Sequence, residues 1–512
     1  MPLRTLLAIL ALLVAAPAAS AATGTYGLGS QPDYVDPALA YTLEGWSILR
    51  ATHTPLLTYE HADGDQGMRL VPGVAEAMPE VSPDGLTYTL RVREGLRYSN
   101  GREVRARDFE HTIKRVLKLE SGGAFFFFDV RGAERYARRG SGDIAGIVSD
   151  DAARTIRITL ARRNGWFPHA LAMQFAGLVP SGTRARNLTY RPPPGVGPYR
   201  IARSGRRSLR LEKVPDFAVP GVPQAALDAI DVRYRAQHGT VDVHLDPPPR
   251  SMRTGERYLE RDTLSTYYFF LNHRLRPFDD PDVRRAVNFA LDKPALQRVF
   301  GGLLTPACTF LPPAIAGHEP RECPYGDPNG PPQVDRAREL IRAAGAEGAR
   351  VDVYGNDERP ARGVTTAFVR MLRAIGLRPR LRIVEASVYF TTIGNRRTRA
   401  HAGFANWFVD FPHPSNFLFL VDGDSIQPTN NQNFGNVNDA QLDDLIDRVW
   451  EAPLGEVAGI AAEADRRIVD EAHVAPYGYR RLGFLFSERV PPQCRGLHRL
   501  YQVDLARLCV SG

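Results

Sequence analysis

The chain has 512 residues, a formal net charge of +8, 43% hydrophobic residues and four cysteines. This length supplies two or three hydrophobic cores at about 100–200 residues per domain, and after the first residues no stretch approaches the roughly 20 consecutive apolar residues of a membrane helix. The positive charge does not point to nucleic acid: basic runs such as Arg203 to Arg210 are balanced elsewhere by Asp and Glu, and no arginine stretch carries interleaved aromatics for base stacking.

A basic Arg4, an unbroken apolar run from Leu6 to Ala16 and small residues at Ala19-Ser20-Ala21 form the pattern of a signal peptide over residues 1–22, cleaved after Ala21 or Ala22. Lipid anchoring needs a cysteine just after the apolar run, and the first cysteine is Cys308. The expectation is a soluble, unanchored protein outside the cytoplasm, in a compartment that permits disulfides. Cys308 and Cys323 stand 15 apart, as do Cys494 and Cys509. Two local bridges are the preferred pairing of the three possible. Neither pair has the close spacing of a zinc site, and His53, His61, His169, His413 and His473 have no partner at metal-ligand spacing, so no metal and no cofactor is assigned.

In chain order, Leu86, Tyr88, Leu90 and Val92 alternate with polar residues after the turn Pro83-Asp84-Gly85, which predicts a half-buried strand. Phe109, Ile113, Val116 and Leu117 then share one helical face. The run Phe125 to Phe128 suits a lid, a docking patch or buried core, and the rarity of large exposed apolar patches favours core. Pro192 to Pro194 with Gly195-Val196-Gly197-Pro198 marks a rigid break, with a new strand at Tyr199 and Ile201. An aromatic strand from Thr266 to Asn272 runs into a helix whose apolar stripe is Val283, Ala286, Val287, Ala290 and Leu291.

A helix through Ala337, Leu340, Ile341 and Ala344 ends at Gly345, and Val351, Val353 and Tyr354 make a strand. A second helix through Phe368, Met371, Leu372 and Ile375 ends at Gly376, before a strand at Leu381, Ile383 and Val384. Strand, helix, strand in this order predicts a right-handed crossover and a parallel α/β sheet.

Several ordered segments carry a family resemblance. They are Val71-Pro72-Gly73-Val74-Ala75-Glu76 with Ser82 to Leu90, Arg93-Glu94-Gly95-Leu96 with Asn100-Gly101, and Gly195-Val196-Gly197-Pro198-Tyr199. Leu271-Asn272, Pro277-Phe278-Asp279-Asp280 and Val283 to Asn288 continue the series. Together they resemble the family 5 extracellular solute-binding proteins, the dipeptide- and oligopeptide-binding components of ABC importers. One departure is the helix near Asp108, where Arg105 stands in place of the usual Ser or Thr cap, at a cost of about 1 kcal/mol.

The resemblance implies an α/β fold of two lobes closing by a hinge, the type II (cluster C) architecture, with an extra domain in the N-terminal lobe. The expected division is 23–60 as the first part of lobe I and 61–190 as the extra domain. Residues 191–270 return to lobe I, 271–478 form lobe II, and 479–512 complete lobe I. The lobe crossings are expected near Tyr267 to Asn272 and Ala475 to Arg480. The implied partners are a small solute, most readily a di- or oligopeptide, and the permease and ATPase complex of an importer. A monomer is expected. Opines, oligosaccharides, nickel complexes and haem are the other solutes that the resemblance covers.

The stretch Asn406-Trp407-Phe408-Val409-Asp410 is similar to the family segment in which a Trp stands three residues before an Asp that receives the ligand's α-amino group. A buried ammonium needs a charged partner. The resemblance gives that role to Asp410, a side-chain pocket wall to Trp407, and backbone pairing with an extended ligand to Asn406 through Phe408. The plainer alternative makes Asp410 the cap of the turn at Pro412 and Pro414, with Trp407 as core. One of Tyr267 and Tyr268 should face the cleft, since consecutive strand residues point to opposite faces. A secreted hydrolase lacks support: there is no G-x-S-x-G elbow, H-E-x-x-H helix or phosphate loop. A ligand sensor on the same fold stays open.

Overall fold

The computed structural model describes residues 22–245 and 248–511. The expected signal peptide lies outside these residues except for Ala22. Most strands belong to one twelve-stranded sheet held together by a single long strand, Val474–Phe486. Its 13 residues span roughly 40 Å at about 3.3 Å per residue, enough to serve two lobes.

The neighbours of that strand change along its length. Val474 to Gly478 pair antiparallel with Ser265–Leu271, and Gly478 to Arg480 pair with Leu304–Pro306. Arg481 to Leu485 pair with Tyr258–Asp262, while Phe484 to Phe486 pair on the other edge with Val243–Leu245. On the first side the sheet continues through Ala402–Phe408, Arg350–Asn356 and Arg378–Val384; on the second it continues through Thr23–Leu28, Ala229–Tyr234, Ser208–Lys213 and Tyr199–Ser204. The exchange of partners therefore falls at Thr263–Leu264 and Arg480. In the segment Tyr267 to Asn272, expected as a crossing, Tyr267 to Phe270 are paired on both edges within the first side, because an unbroken apolar strand needs neighbours on both edges.

Hydroxyl groups pin the exchange point. Thr263 donates its backbone N–H and its hydroxyl to the Arg480 carbonyl at 2.9 and 2.7 Å, and the Ser265 hydroxyl accepts from the Arg480 N–H at 3.0 Å. Just beyond, the register slips between Tyr267 and Tyr268, a bulge at the partner strand's Tyr477. A Cβ on Gly478 would stand 2.4 Å from the Leu304 side chain, so glycine lets the short strand approach.

The predicted βαβ unit is present. Val334–Ala343 is helical, Gly345 takes φ 62°, Arg350–Asn356 is a strand, Ala361–Ala374 is helical, and Gly376 takes φ 95° before Arg378–Val384. The two strands run parallel, Val353 opposite Leu381. Phe368 of the second helix stacks on Phe269 at 3.8 Å between ring centres, fastening helix to sheet.

Within the stretch expected as the extra domain, Glu80–Val81, Thr87–Arg91, Thr155–Thr159 and Ile147–Asp150 form a separate four-stranded antiparallel sheet. The helix Arg107–Lys118 buries Phe109, Ile113, Val116 and Leu117, the stripe read from the sequence. Its N-cap residue, Ala106, makes no side-chain cap bond. Two carboxylates take over: Asp108 accepts from the Arg105 N–H and Asp151 from the Arg107 N–H, each at 3.0 Å. The same helix carries Arg115, whose guanidinium grips both carboxylate oxygens of Asp36 in the interior.

The phenylalanine run is only half core. Phe126 and Phe127 are buried, while Phe125 and Phe128 are 47% and 37% exposed. The segment Ala124–Phe127 is a 3-10 turn, and four consecutive residues on so tight a helix cannot all face inward. Cys308–Cys323 and Cys494–Cys509 are bridged, with Cα atoms 5.2 and 4.7 Å apart, the pairing preferred from the spacing. No helix among the described residues is long and apolar enough to cross a membrane.

Candidate functional site

The strand Ala402–Phe408 pairs along its whole length with Ser265–Leu271, but its other edge meets a strand only at Ala402 and Gly403. From Ala405 onward that edge carries no ladder. The Val409 N–H donates to the Leu264 carbonyl, which sets the phase of the antiparallel pairing: Trp407 and Ala405 bond inward, and the backbone groups of Asn406 and Phe408 face the open edge. Asn406, Trp407 and Phe408 are half-buried at the end of an otherwise buried strand.

Asp410 follows immediately. It is 9% exposed, and no cation lies within salt-bridge distance among the described residues. Its Oδ2 accepts from Asn416 Nδ2 at 2.9 Å and, more loosely, from the Tyr41 hydroxyl at 3.4 Å. Burial pushes the carboxyl up to about 7, against which the bonds from Asn416 and Tyr41 work in the other direction. The carboxylate takes no backbone N–H of the proline turn. Asn416 does the capping instead: its Oδ1 accepts from the Asp410 N–H at 2.8 Å and from Trp407 Nε1 at 3.3 Å. One asparagine thus fixes both residues singled out from the sequence.

The far wall comes from the N-terminal half of the chain. Tyr41 stacks on Trp46 at 5.7 Å and meets Phe126 and Phe175 edge-on. Phe411 stacks on Trp166 at 5.0 Å and on His169 at 5.5 Å. Beside them His413 hydrogen-bonds Ser415 through Nδ1, and its buried Nε2 has no partner. Burial pushes the His413 imidazole down to about 3, so it stands neutral. Asp410 is therefore the ionisable acid of an otherwise neutral, aromatic boundary.

The six residues expected at the site do not share one face. Tyr267 lies opposite Asn406 and Phe408 lies opposite Ser265, which places Tyr267, Asn406 and Phe408 together. Trp407, opposite Thr266, lies on the other face with Tyr268. Tyr268 is enclosed against Phe310, whereas Tyr267 is half-buried and edge-on to Phe300 and Phe408. Sequence reasoning missed Tyr41, Trp166 and Asn416. The one available signal was Asn416 closing the turn after Pro412 and Pro414; the aromatics meet Asp410 only through the fold. Among the described residues no group of three or more His, Cys, Asp or Glu is placed to hold a metal ion.

The profile of the bacterial extracellular solute-binding proteins, family 5, matches residues 69–428. The chain belongs to that family. This solute-binding protein is 28% identical over 433 residues to the di/tripeptide-binding protein 2 of Pseudomonas aeruginosa (strain UCBPP-PA14), covering 76% of each chain. It is also 29% identical over 301 residues to the glutathione-binding protein GsiB of Escherichia coli (strain K12), covering 55% of this chain and 54% of that relative. Its fold is similar to that of clavulanic acid biosynthesis oligopeptide binding protein 2, with a TM-score of 0.87, 24% identity and 96% of both chains covered. The two-lobed architecture expected from the sequence is the architecture of the family and of its solved neighbours.

Proposed function

We propose that this solute-binding protein captures a short peptide with a free amino terminus and delivers it to an ABC importer, without catalysing a reaction. The observation that carries the reading is the buried, cation-free carboxylate of Asp410 beside the open edge at Asn406 and Phe408. An extended peptide adds to that edge as a strand, pairing its main chain irrespective of side chain, and its ammonium replaces the missing counter-charge of Asp410. Peptide-binding relatives support the same class of ligand.

Closure brings Tyr41 and Phe411 with its aromatic partners around the ammonium, and the exchange point at Thr263 and Arg480 is where the hinge turns. Ligand then stabilises the shut form by differential affinity. The protein works as a freely diffusing monomer outside the cytoplasm. The reading is tested by native mass spectrometry of the mature protein purified without denaturation, followed by a thermal-shift screen. Co-purified peptides and stabilisation by short peptides support it. Stabilisation by sugars or metal complexes alone overturns the peptide assignment.

A further inference from the structure

At the opposite end of the strand Ala402–Phe408 from Asp410, about 20 Å away at 3.3 Å per residue, lies a cavity of about 360 Å³. Its walls include Arg274, Arg396, Arg397 and Arg399, together with Asn395 and Asn436. No carboxylate lines it, and none of the four arginines has a salt-bridge partner among the described residues. All four are exposed.

The backbone beneath them is held on every side. Asn395 Oδ1 accepts from the Arg397 N–H at 3.0 Å, and the Arg396 N–H donates to the Pro428 carbonyl at 3.1 Å. Asn272 Nδ2 donates to the Ala400 carbonyl at 2.9 Å, while its Oδ1 accepts from the Arg274 N–H at 3.1 Å. Arg399 sits at φ 55°, a left-handed conformation uncommon for such a residue. The loop is fixed by its asparagines, and the guanidinium groups are left unneutralised. Asn436, 6% exposed, has a side-chain oxygen with no hydrogen-bond partner.

We propose that this cavity binds a phosphate-type oxyanion, its unprotonated oxygens held by the arginines and its P–OH donating to Asn436. Guanidinium forks match phosphate oxygens in pairs, four like charges around one cavity favour an anion of more than one charge, and the acceptor on Asn436 calls for a ligand that also donates. A free phosphate monoester and the monoester headgroup of phosphatidic acid offer the same chemistry.

The test titrates the full mature chain with inorganic phosphate and with sulfate by calorimetry at low salt, and measures its co-flotation with phosphatidylcholine vesicles with and without phosphatidic acid. The site predicts phosphate binding favoured over sulfate, which carries no proton at neutral pH, or co-flotation only with vesicles that contain phosphatidic acid. The first identifies the free compound as the source and the second the lipid. R397E/R399E should lower the binding by at least about tenfold with thermal midpoint and peptide binding unchanged. N436G, which tolerates the positive φ of that position, should narrow the preference for phosphate over sulfate. No binding of either kind by the wild type, or equal binding by R397E/R399E, overturns the site; equal affinity for phosphate and sulfate overturns the role of Asn436.

Discussion

Tyr41 and Asp410 lie 369 residues apart in the chain and face each other across 3.4 Å, hydroxyl to carboxylate. The separation exceeds that of an ordinary O–H···O bond. The contact joins the N-terminal half to the loop after Ala402–Phe408, and burial by both sides lifts the Asp410 carboxyl to about 7.

That lift fixes a pH dependence. The folded, ligand-free protein holds the Asp410 proton more tightly than the unfolded chain does, so the associated stability is fully present below about pH 4 and is lost as pH rises through about 7. Asp465, also raised to about 7 by burial, titrates in the same window. Asp410→Asn isolates the first contribution. Chemical denaturation of the ligand-free variant and wild type should show the variant more stable at about pH 8 by on the order of 2–4 kcal/mol, with the gap closing at about pH 4. Peptide affinity of the wild type should rise with pH through the same interval, as the carboxylate that pairs with the ammonium forms.

Asn416 touches Trp407 and Asp410 at once. Asn416→Ala leaves the Asp410 N–H and the indole N–H without their acceptor and frees the carboxylate to turn. Peptide affinity measured by calorimetry should fall about tenfold or more, and stability by about 1–3 kcal/mol. Unaltered affinity would assign Asn416 to the turn alone.

The Arg115–Asp36 pair lies in the interior, and Asp36 also accepts from the backbone N–H groups of Ala38 and Leu188. Asp36→Ala strands a buried guanidinium and should cost about 3–5 kcal/mol in urea unfolding. Below the variant's melting temperature, peptide binding should persist, since neither residue borders Asp410.

The local elements were legible because each hides one face. The stripes at Phe109 to Leu117 and Val283 to Leu291, and the glycines at 345 and 376, repeat at spacings that local geometry imposes. The strand Val474–Phe486 was legible only in part: Pro476, Gly478, Arg480 and Arg481 interrupt its pattern, because its partners change under it. Trp407 and Asp410 are singled out by a resemblance alone, and their arrangement is not legible in the sequence, since Asn416 and Tyr41 reach them by side-chain contacts that no periodicity encodes. The run Phe125 to Phe128 misled because composition suggests burial while a 3-10 turn exposes part of whatever it carries.

The proposed pairing of Asp410 with a ligand ammonium is open to isothermal titration of one short peptide in its free-amine and N-acetylated forms. Wild type should bind the free amine and lose at least about 2 kcal/mol of affinity on acetylation, whereas Asp410→Asn should bind the free amine weakly and discriminate little between the two forms. Equal binding of both forms by the wild type, or an undiminished preference for the free amine in the variant, would contradict the account.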